Sequence, residues 1–479
     1  MTDLYTKFTE FEKTNSLLID NPYAYVWEGL RFGVFRTLVT EMQQTKKAQD
    51  RLSSSRESSA GLIKHVSRLS REYIRTKPSV SLGLKRYQDR EYCFWGHPRR
   101  KLEQDGFYWD IYVDPLLEQI KPNSYVVFES KILGVHRKPA KTKALLYPDY
   151  MHLGQTFYMS FHRRKKQFPE LIAYFSEIEE KLFNTFGVRS KIVSRARHYA
   201  ALYDFRCRQY KKILRRVNPK ILIIVVGYSK EILVRAAKDL NIPVVELQHG
   251  VLSKYHLGYD VSSGRKENFA DYFFSFGPAW GNMAHFPIPP ERIIPIGYQY
   301  LNTAAKKYQK VEKKNQILFL SQGTIGDRLS DFAVELAKII PADTRVIYKL
   351  HPGEIMRWKT EYQSLLQASE QGLIDVITGD EPSLYQLMAQ SKWQVGVNST
   401  ALFEGMIFKC RTYIVDFPGT EYVQTLIDSG DFTLIQKPEE IEFTYDPNDL
   451  NYQVEDYFCS DTETKFLQAI ATVLEEFHT

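Results

Sequence analysis

Apolar positions recur at spacings of three and four near the start of the chain. Tyr25, Val26, Trp27, Leu30, Val34, Phe35, Leu38 and Met42 fall on one side of a helical wheel, so the segment up to about Gln44 is predicted as an amphipathic helix with an aromatic-rich face. Such a face packs on a neighbouring domain or, with Arg31, Arg36, Lys46 and Lys47 beside it, meets a membrane interface. The Ser-rich stretch Asp50 to Gly61 has linker composition, and a second basic helix carrying Leu62, Val66, Leu69 and Tyr73 leads to Pro78.

From Glu91 the pattern changes to short, continuous apolar runs bounded by glycine and polar residues, the signature of parallel strands buried on both faces. Tyr92 to Gly96 and Tyr125 to Phe128 read as strands, and Gln167 to Arg216 as a long helical region. Lys220 to Gly227, a helix from Ser229 to Leu240, and Ile242 to Gly250 form a strand, helix, strand crossover. Asp271 to Gly277 and Arg292 to Tyr298 add two strands, and the charged connector Lys306 to Lys314 marks a boundary. The alternation then restarts: strands at Gln316 to Leu320, Arg345 to Leu350, Ile374 to Ile377, Val395 to Val397 and Thr412 to Asp416, with helices from Asp327 to Ile339 and from Ser383 to Ala389. A final helix from Glu463 to Phe477 is expected to pack back on the first domain. The predicted fold class is α/β: a helical extension (1–90) and two facing Rossmann-like domains (91–305 and 306–479).

Composition narrows the setting. A chain of 479 residues, 43% hydrophobic and 25% charged, can build two or three cores and is not disordered. Cys93, Cys207, Cys410 and Cys459 form no C-x-x-C pair, so neither a disulfide framework nor a zinc site is indicated. With no signal-peptide pattern and no spanning apolar stretch, a soluble cytoplasmic protein is expected. The net charge of +7 is uneven. Between His162 and Lys220 basic residues outnumber acidic ones by roughly three to one, including Arg163-Arg164-Lys165-Lys166 and Arg206 to Arg216. That stretch is either a solvated helix face or a surface for an anionic partner. No helix-turn-helix, zinc-finger or RNP-like pattern accompanies it, so nucleic acid is not an expected partner.

The candidate chemistry collects at strand ends. In open parallel sheets ligands bind beyond the carboxyl ends of the strands, which are here followed by His249-Gly250, Gly323-Thr324, His351-Pro352-Gly353-Glu354 and Asn398-Ser399-Thr400. Ser399 and Thr400 open a helix whose first N–H groups lack intrahelical partners, a place that holds phosphate readily or is simply capped. Counted from a Thr400 cap, Glu404 falls one residue late for a capping box and is available to a ribose diol. There is no G-x-G-x-x-G, no P-loop and no Asp-x-Asp pair.

Together these residues resemble the GT-B glycosyltransferases, and more narrowly the bacterial capsule Kdo transferases, polysialyltransferases and CDP-glycerol glycerophosphotransferases. The resemblance covers Glu91 to about Ile441 in architecture, with its motifs between Gly227 and Asp416. It implies that His351 of the His-Pro motif, Ser399 and Thr400 bind the donor phosphate, with Gly323 and Thr324 at the same crevice, and that Glu404 contacts ribose. It also implies that His249 is the catalytic base. The polysialyltransferase acidic pair is only half present, as Gln104-Asp105-Gly106, which leaves the base open between His249 and Asp105. Lys349 and Arg328 are further cations near the crevice. The implied activity is metal-independent transfer from a nucleotide sugar to a saccharide or lipid-linked saccharide acceptor of a capsule or other surface polysaccharide, with no cofactor. The basic N-terminal half would face an anionic acceptor or the inner membrane surface. A nucleotide-sugar 2-epimerase, which needs two carboxylates in the first crevice (Glu246 and Asp105 being the nominees), and a non-catalytic polysaccharide-binding or scaffold protein are the alternatives.

Overall fold

A computed structural model describes residues 2–45, 80–98, 100–103, 106–132, 134–162, 168–262, 264–323 and 325–478. The Ser-rich linker, the second basic helix, the Arg163 to Lys166 run, Asp105 and Thr324 lie outside these residues.

The expected two-sheet α/β architecture with an N-terminal helical region is present. The first sheet contains β1 (Tyr92–Trp95), β4 (Tyr125–Phe128), β5 (Leu145–Leu146), β6 (Ile221–Val225), β7 (Val244–Leu247), β8 (Tyr272–Ser275) and β9 (Ile293–Pro295), all parallel in the order β5-β4-β1-β6-β7-β8-β9. An antiparallel hairpin, β2 (Arg100–Leu102) and β3 (Tyr108–Asp110), stands apart from it. The second sheet contains β10 (Lys314–Leu320), β11 (Arg345–Lys349), β12 (Ile374–Ile377), β13 (Ser391–Gly396), β14 (Arg411–Val415) and β15 (Thr433–Ile435), in the order β12-β11-β10-β13-β14-β15. In both, the chain starts at the centre, builds to one side, then crosses over and builds to the other. The order reverses between β1 and β6, and between β10 and β13, and doubly wound sheets hold ligands at such points. All five residues of β6 are buried, as helices on both faces require.

Several elements differ from the sequence prediction, among them the strand expected at Val395 to Val397, which is Ser391–Gly396, and the helical region from Gln167, which is two helices, Pro169–Phe186 and Ile192–Val217. The helix Gln299–Tyr308 runs into the charged connector, which narrows the link to residues 309–313, and β15 follows the strand expected to be last. The N-terminal segment is two helices, Thr2–Thr14 and Ala24–Thr45. Their apolar faces share one core with the helices Pro169–Phe186 and Ile192–Val217, with Phe8, Trp27 and Val34 fully buried.

Arg31 is 1% exposed and does not sit at a membrane-facing surface. Its Nη2 donates to Glu12 Oε2 at 2.7 Å and its Nη1 to the carbonyls of Leu257 and Asp260, so the charge is paired within the core. The C-terminal helix Thr462–His478 does pack back on the first sheet, placing Phe466, Ile470 and Val473 against the layer that holds Val225, Val245 and Tyr272. Between the two units Trp280 meets Phe403, ring centroids 5.3 Å apart, within a core cluster shared by both. Among the described residues no helix is long and apolar enough to cross a membrane.

Candidate functional site

In the first unit β7 delivers Glu246, then Gln248 and His249, to the carboxyl edge. Gln248 is buried and pins the turn: its Oε1 accepts from Phe276 N–H at 2.7 Å and its Nε2 donates to the Gly250 carbonyl at 2.9 Å. Tyr112 OH donates to the His249 carbonyl at 2.6 Å. The imidazole Nδ1 lies 3.1 Å from Tyr259 OH, and Tyr259 OH donates to Glu246 Oε1 at 2.6 Å. Glu246 Oε1 also accepts from Gly227 N–H at 2.7 Å. Burial raises the Glu246 carboxyl and, with Glu246 beside it, pushes the Tyr259 phenol well above its ordinary range.

The second unit assembles its edge from three strand ends. After β10, Gln322 exchanges hydrogen bonds with Asn398 after β13: its Nε2 donates to Asn398 Oδ1, and Asn398 N–H donates to its Oε1 at 3.2 Å. This pair closes the reversal point of the sheet. After β11, Glu354 is fully buried and accepts from Ser321 Oγ (2.9 Å), Tyr362 OH (2.8 Å) and His351 N–H (2.7 Å), so this acid braces the His-Pro-Gly-Glu turn from beneath. His351 itself is exposed; its Nδ1 accepts from Gly353 N–H at 3.1 Å, leaving the proton on Nε2. Arg357 Nη2 donates to the Gly323 carbonyl at 2.6 Å and its Nε to the Gly353 carbonyl at 3.4 Å, tying two of the loops together. Lys349 Nζ donates to the Gly379 carbonyl.

The helix that follows β13, Thr400–Ile407, is capped by Ser399, whose Oγ accepts from Ala401 N–H at 3.3 Å. The cap is therefore one residue earlier than Thr400, because Ser399 has the extended backbone a cap requires (φ −69°, ψ 138°). Thr400 is the first helical residue and is exposed; Glu404 is half-buried one turn on. Burial and the Glu404 carboxylate, with which it shares a hydrogen bond, raise the Tyr385 phenol. Lys101 of the hairpin, from the first unit, donates to Tyr385 OH at 3.2 Å and lies over its ring.

A small, partly open pocket lies between the two edges. His249, Gly250, Thr400 and Glu404 line it, with Tyr112, Trp280, Tyr298 and Phe403 as apolar walls. A Cβ placed on Gly250 would lie 3.8 Å from Thr400 Oγ1, so the two edges stand about one small side chain apart here. The structure thus brings His249, Thr400 and Glu404 together. His351, Gly323 and Ser399 share the carboxyl edge of the second sheet and do not line this pocket. Tyr259, Tyr112, Arg357 and the Gln322–Asn398 pair were not foreseen. A charged residue inside the apolar run Val244-Val245-Glu246-Leu247 was the one sequence signal of the buried network behind His249.

No protein-family model matches the chain, and no curated protein matches it. Among solved structures it is similar to UDP-GlcNAc 2-epimerase from Methanocaldococcus jannaschii (14% identity, 80% of this chain and 99% of that one, TM-score 0.47). It is also similar to UDP-GlcNAc 2-epimerase from Neisseria meningitidis (12%, 80% and 100%, TM-score 0.45) and to the wall teichoic acid polymerase TagF (11%, 86% and 98%, TM-score 0.41). At such identities and TM-scores the likeness assigns neither family nor activity to this chain.

Proposed function

We propose that this chain is a nucleotide-sugar-dependent glycosyltransferase that extends a cell-surface polysaccharide or its lipid-linked precursor. The observation that carries the proposal is the pocket in which His249 from the first sheet faces Thr400 and Glu404 from the second.

The donor nucleotide takes the second edge. The Thr400 N–H, at the start of its helix, and the Nε2 proton of His351 stabilise the negative charge that develops on the leaving phosphate, and Glu404 accepts from the ribose hydroxyls. An acceptor hydroxyl placed at His249 gives its proton to the imidazole as its oxygen bonds to the anomeric carbon; the bond to phosphate breaks, and the nucleotide leaves with the electron pair. The proton then passes from His249 to solvent. The exposed cations Arg197, Arg208, Lys212, Arg215 and Arg216 on the helix Ile192–Val217 suit an anionic acceptor or a membrane surface. The 2-epimerase reading needs two carboxylates open to the first crevice. Glu246 is fully buried and absent from the pocket wall, which weighs against it.

A thermal-shift panel of CMP, CDP, UDP, GDP and ADP tests the proposal on the protein and on His351→Ala and Glu404→Ala. The expected result is a shift with one nucleotide class that both variants weaken. His249→Ala should keep that shift and lose transfer. No shift with any nucleotide, or full turnover in His249→Ala, would overturn the corresponding part.

A further inference from the structure

We propose that Tyr259 and Glu246 are positioning residues that set the tautomer and proton affinity of His249; the proposal rests on His249 being the base. Tyr259 has a single phenolic proton to give. Glu246 Oε1, at 2.6 Å, already accepts from Gly227 N–H, which leaves this oxygen an acceptor towards Tyr259, so the phenolic proton points to it. The phenol oxygen then has only lone pairs for His249 Nδ1 at 3.1 Å, so Nδ1 must carry a proton. The basic lone pair is thereby fixed on Nε2, on the opposite side of the ring. When Nε2 takes the acceptor's proton, the new imidazolium charge is stabilised through the phenol by a buried carboxylate.

The surroundings are built to hold that carboxylate. Val226, directly after β6, has a left-handed backbone (φ +63°, ψ +70°), a costly conformation for a β-branched residue. It turns the chain so that Gly227 N–H meets Glu246. A Cβ on Gly227 would lie 2.0 Å from Glu246 Oε2, so only glycine fits beneath the carboxylate. Lys230 Nζ donates to the carbonyls of Val225 and Val226, holding the turn closed. Neither Tyr259 nor Glu246 has any exposed surface, so neither can serve as a substrate ligand itself. A tyrosine that joins a buried carboxylate to a pocket histidine is explained by what it does to that histidine.

Among the described residues the titratable neighbours of His249 include His97, Tyr112, Tyr228, Tyr259 and Glu404, with His256 against Tyr228 and Tyr259; Glu246 is faced by Lys230, Lys266, Tyr228 and Glu231. Removing the Glu246 charge lowers the proton affinity of His249, because a negative charge nearby favours the imidazolium. In Glu246→Gln the acid limb of the transfer rate should therefore move to lower pH, and kcat should fall by about tenfold or more with the donor KM unchanged.

The decisive measurement is nitrogen NMR of 15N-histidine-labelled full-length protein, with His249→Ala for assignment. Wild type should show His249 protonated at Nδ1, and Tyr259→Phe should shift it towards the Nε2-protonated form while keeping the nucleotide-induced thermal shift. Unchanged His249 nitrogen shifts in Tyr259→Phe would overturn the inference whatever happens to transfer. Altered shifts with an unchanged kcat would overturn it too. Failure of the base assignment is read separately, as turnover retained in His249→Ala.

Discussion

Replacing Glu354 by alanine should destabilise the second unit by about 3 kcal/mol and abolish its nucleotide-induced thermal shift. The magnitude follows from three donors that converge on one fully buried carboxylate: Ser321 Oγ, Tyr362 OH and His351 N–H. A hydrogen bond to a charged group contributes about 1.5–3 kcal/mol, so a simple sum runs from about 4.5 to 9. Three corrections lower it. Ser321 Oγ keeps its contact with Tyr348 OH at 3.0 Å, and the N–H of exposed His351 can turn to water. Removing the carboxylate also relieves its own desolvation. What remains is the orphaned Tyr362 phenol and the loosened turn. Trp358 is the local reporter among six tryptophans: it is 6% exposed and its backbone N–H bonds to the Glu354 carbonyl at 2.9 Å, so the fluorescence difference between the protein and Trp358→Phe during urea titration samples this region. Comparing Glu354→Ala, Tyr362→Phe and the double variant isolates the buried pair, with an expected coupling of about 1 kcal/mol or more. A loss below about 1 kcal/mol for Glu354→Ala, with additive effects in the double variant, would refute the claim that this acid holds the histidine turn in place.

Gly227→Ala should cost about 3 kcal/mol because its Cβ would fall 2.0 Å from Glu246 Oε2; in a Glu246→Ala background the same change should cost under about 1 kcal/mol, and thermal midpoints check both. Arg31→Met should cost about 3–5 kcal/mol by leaving buried Glu12 unpaired, and Glu12→Gln added to it should restore part of that, as read by urea unfolding. The pH dependence of stability should carry a mark of Asp110, whose carboxyl is pushed up to about 6 by burial, against the opposing pull of Arg100. A raised carboxyl binds its proton in the folded chain where the unfolded chain has released it, so its contribution is full below about pH 4 and lost as pH rises through about 6. In Asp110→Asn the slope of urea midpoints between pH 4 and 6 should become shallower, the remainder coming from Glu129 and Glu231, whose buried carboxyls are pushed up to about 7.

The strands that could be read in the sequence are those whose burial leaves no room for polar residues. β6 is Ile221-Leu222-Ile223-Ile224-Val225, and a sheet covered on both faces demands such a run. β2, Arg100-Lys101-Leu102, could not be read that way, because Arg100 is buried by pairing with Glu129 at 2.7 Å and Asp114 at 3.2 Å, partners that only the fold brings near. Arg31 misled for the same reason. Periodicity places a cation on a helix without showing whether a carboxylate waits beside it, and Glu12 lies on the preceding helix. The cap at Ser399 was one residue off because Ser and Thr cap equally well in a Ser-Thr pair, and backbone angles decide between them. Tyr259 left no trace at all: a loop tyrosine ten residues after His249 carries no pattern, and its role exists only once Glu246 is opposite it.

The two halves nevertheless share one device. In each, a histidine sits just past the end of a parallel strand, where ligands gather but where a short loop has little packing of its own. In each, a glutamate three residues away is fully buried and organises the histidine: Glu246 acts on His249 through Tyr259, and Glu354 holds the backbone N–H of His351 directly. The difference between them matches the two roles proposed. A base needs its ring nitrogens set, so the carboxylate reaches the imidazole. A phosphate ligand needs its loop fixed, so the carboxylate reaches the main chain. Ionised groups inside a protein are costly to keep, and glutamine in either place would still accept a hydrogen bond. What glutamine lacks is charge, which Glu246 supplies to an imidazolium and Glu354 supplies to three converging donors. The two isosteric replacements should therefore separate: Glu246→Gln changes the pH profile of transfer, whereas Glu354→Gln changes stability and nucleotide binding and leaves that profile in place.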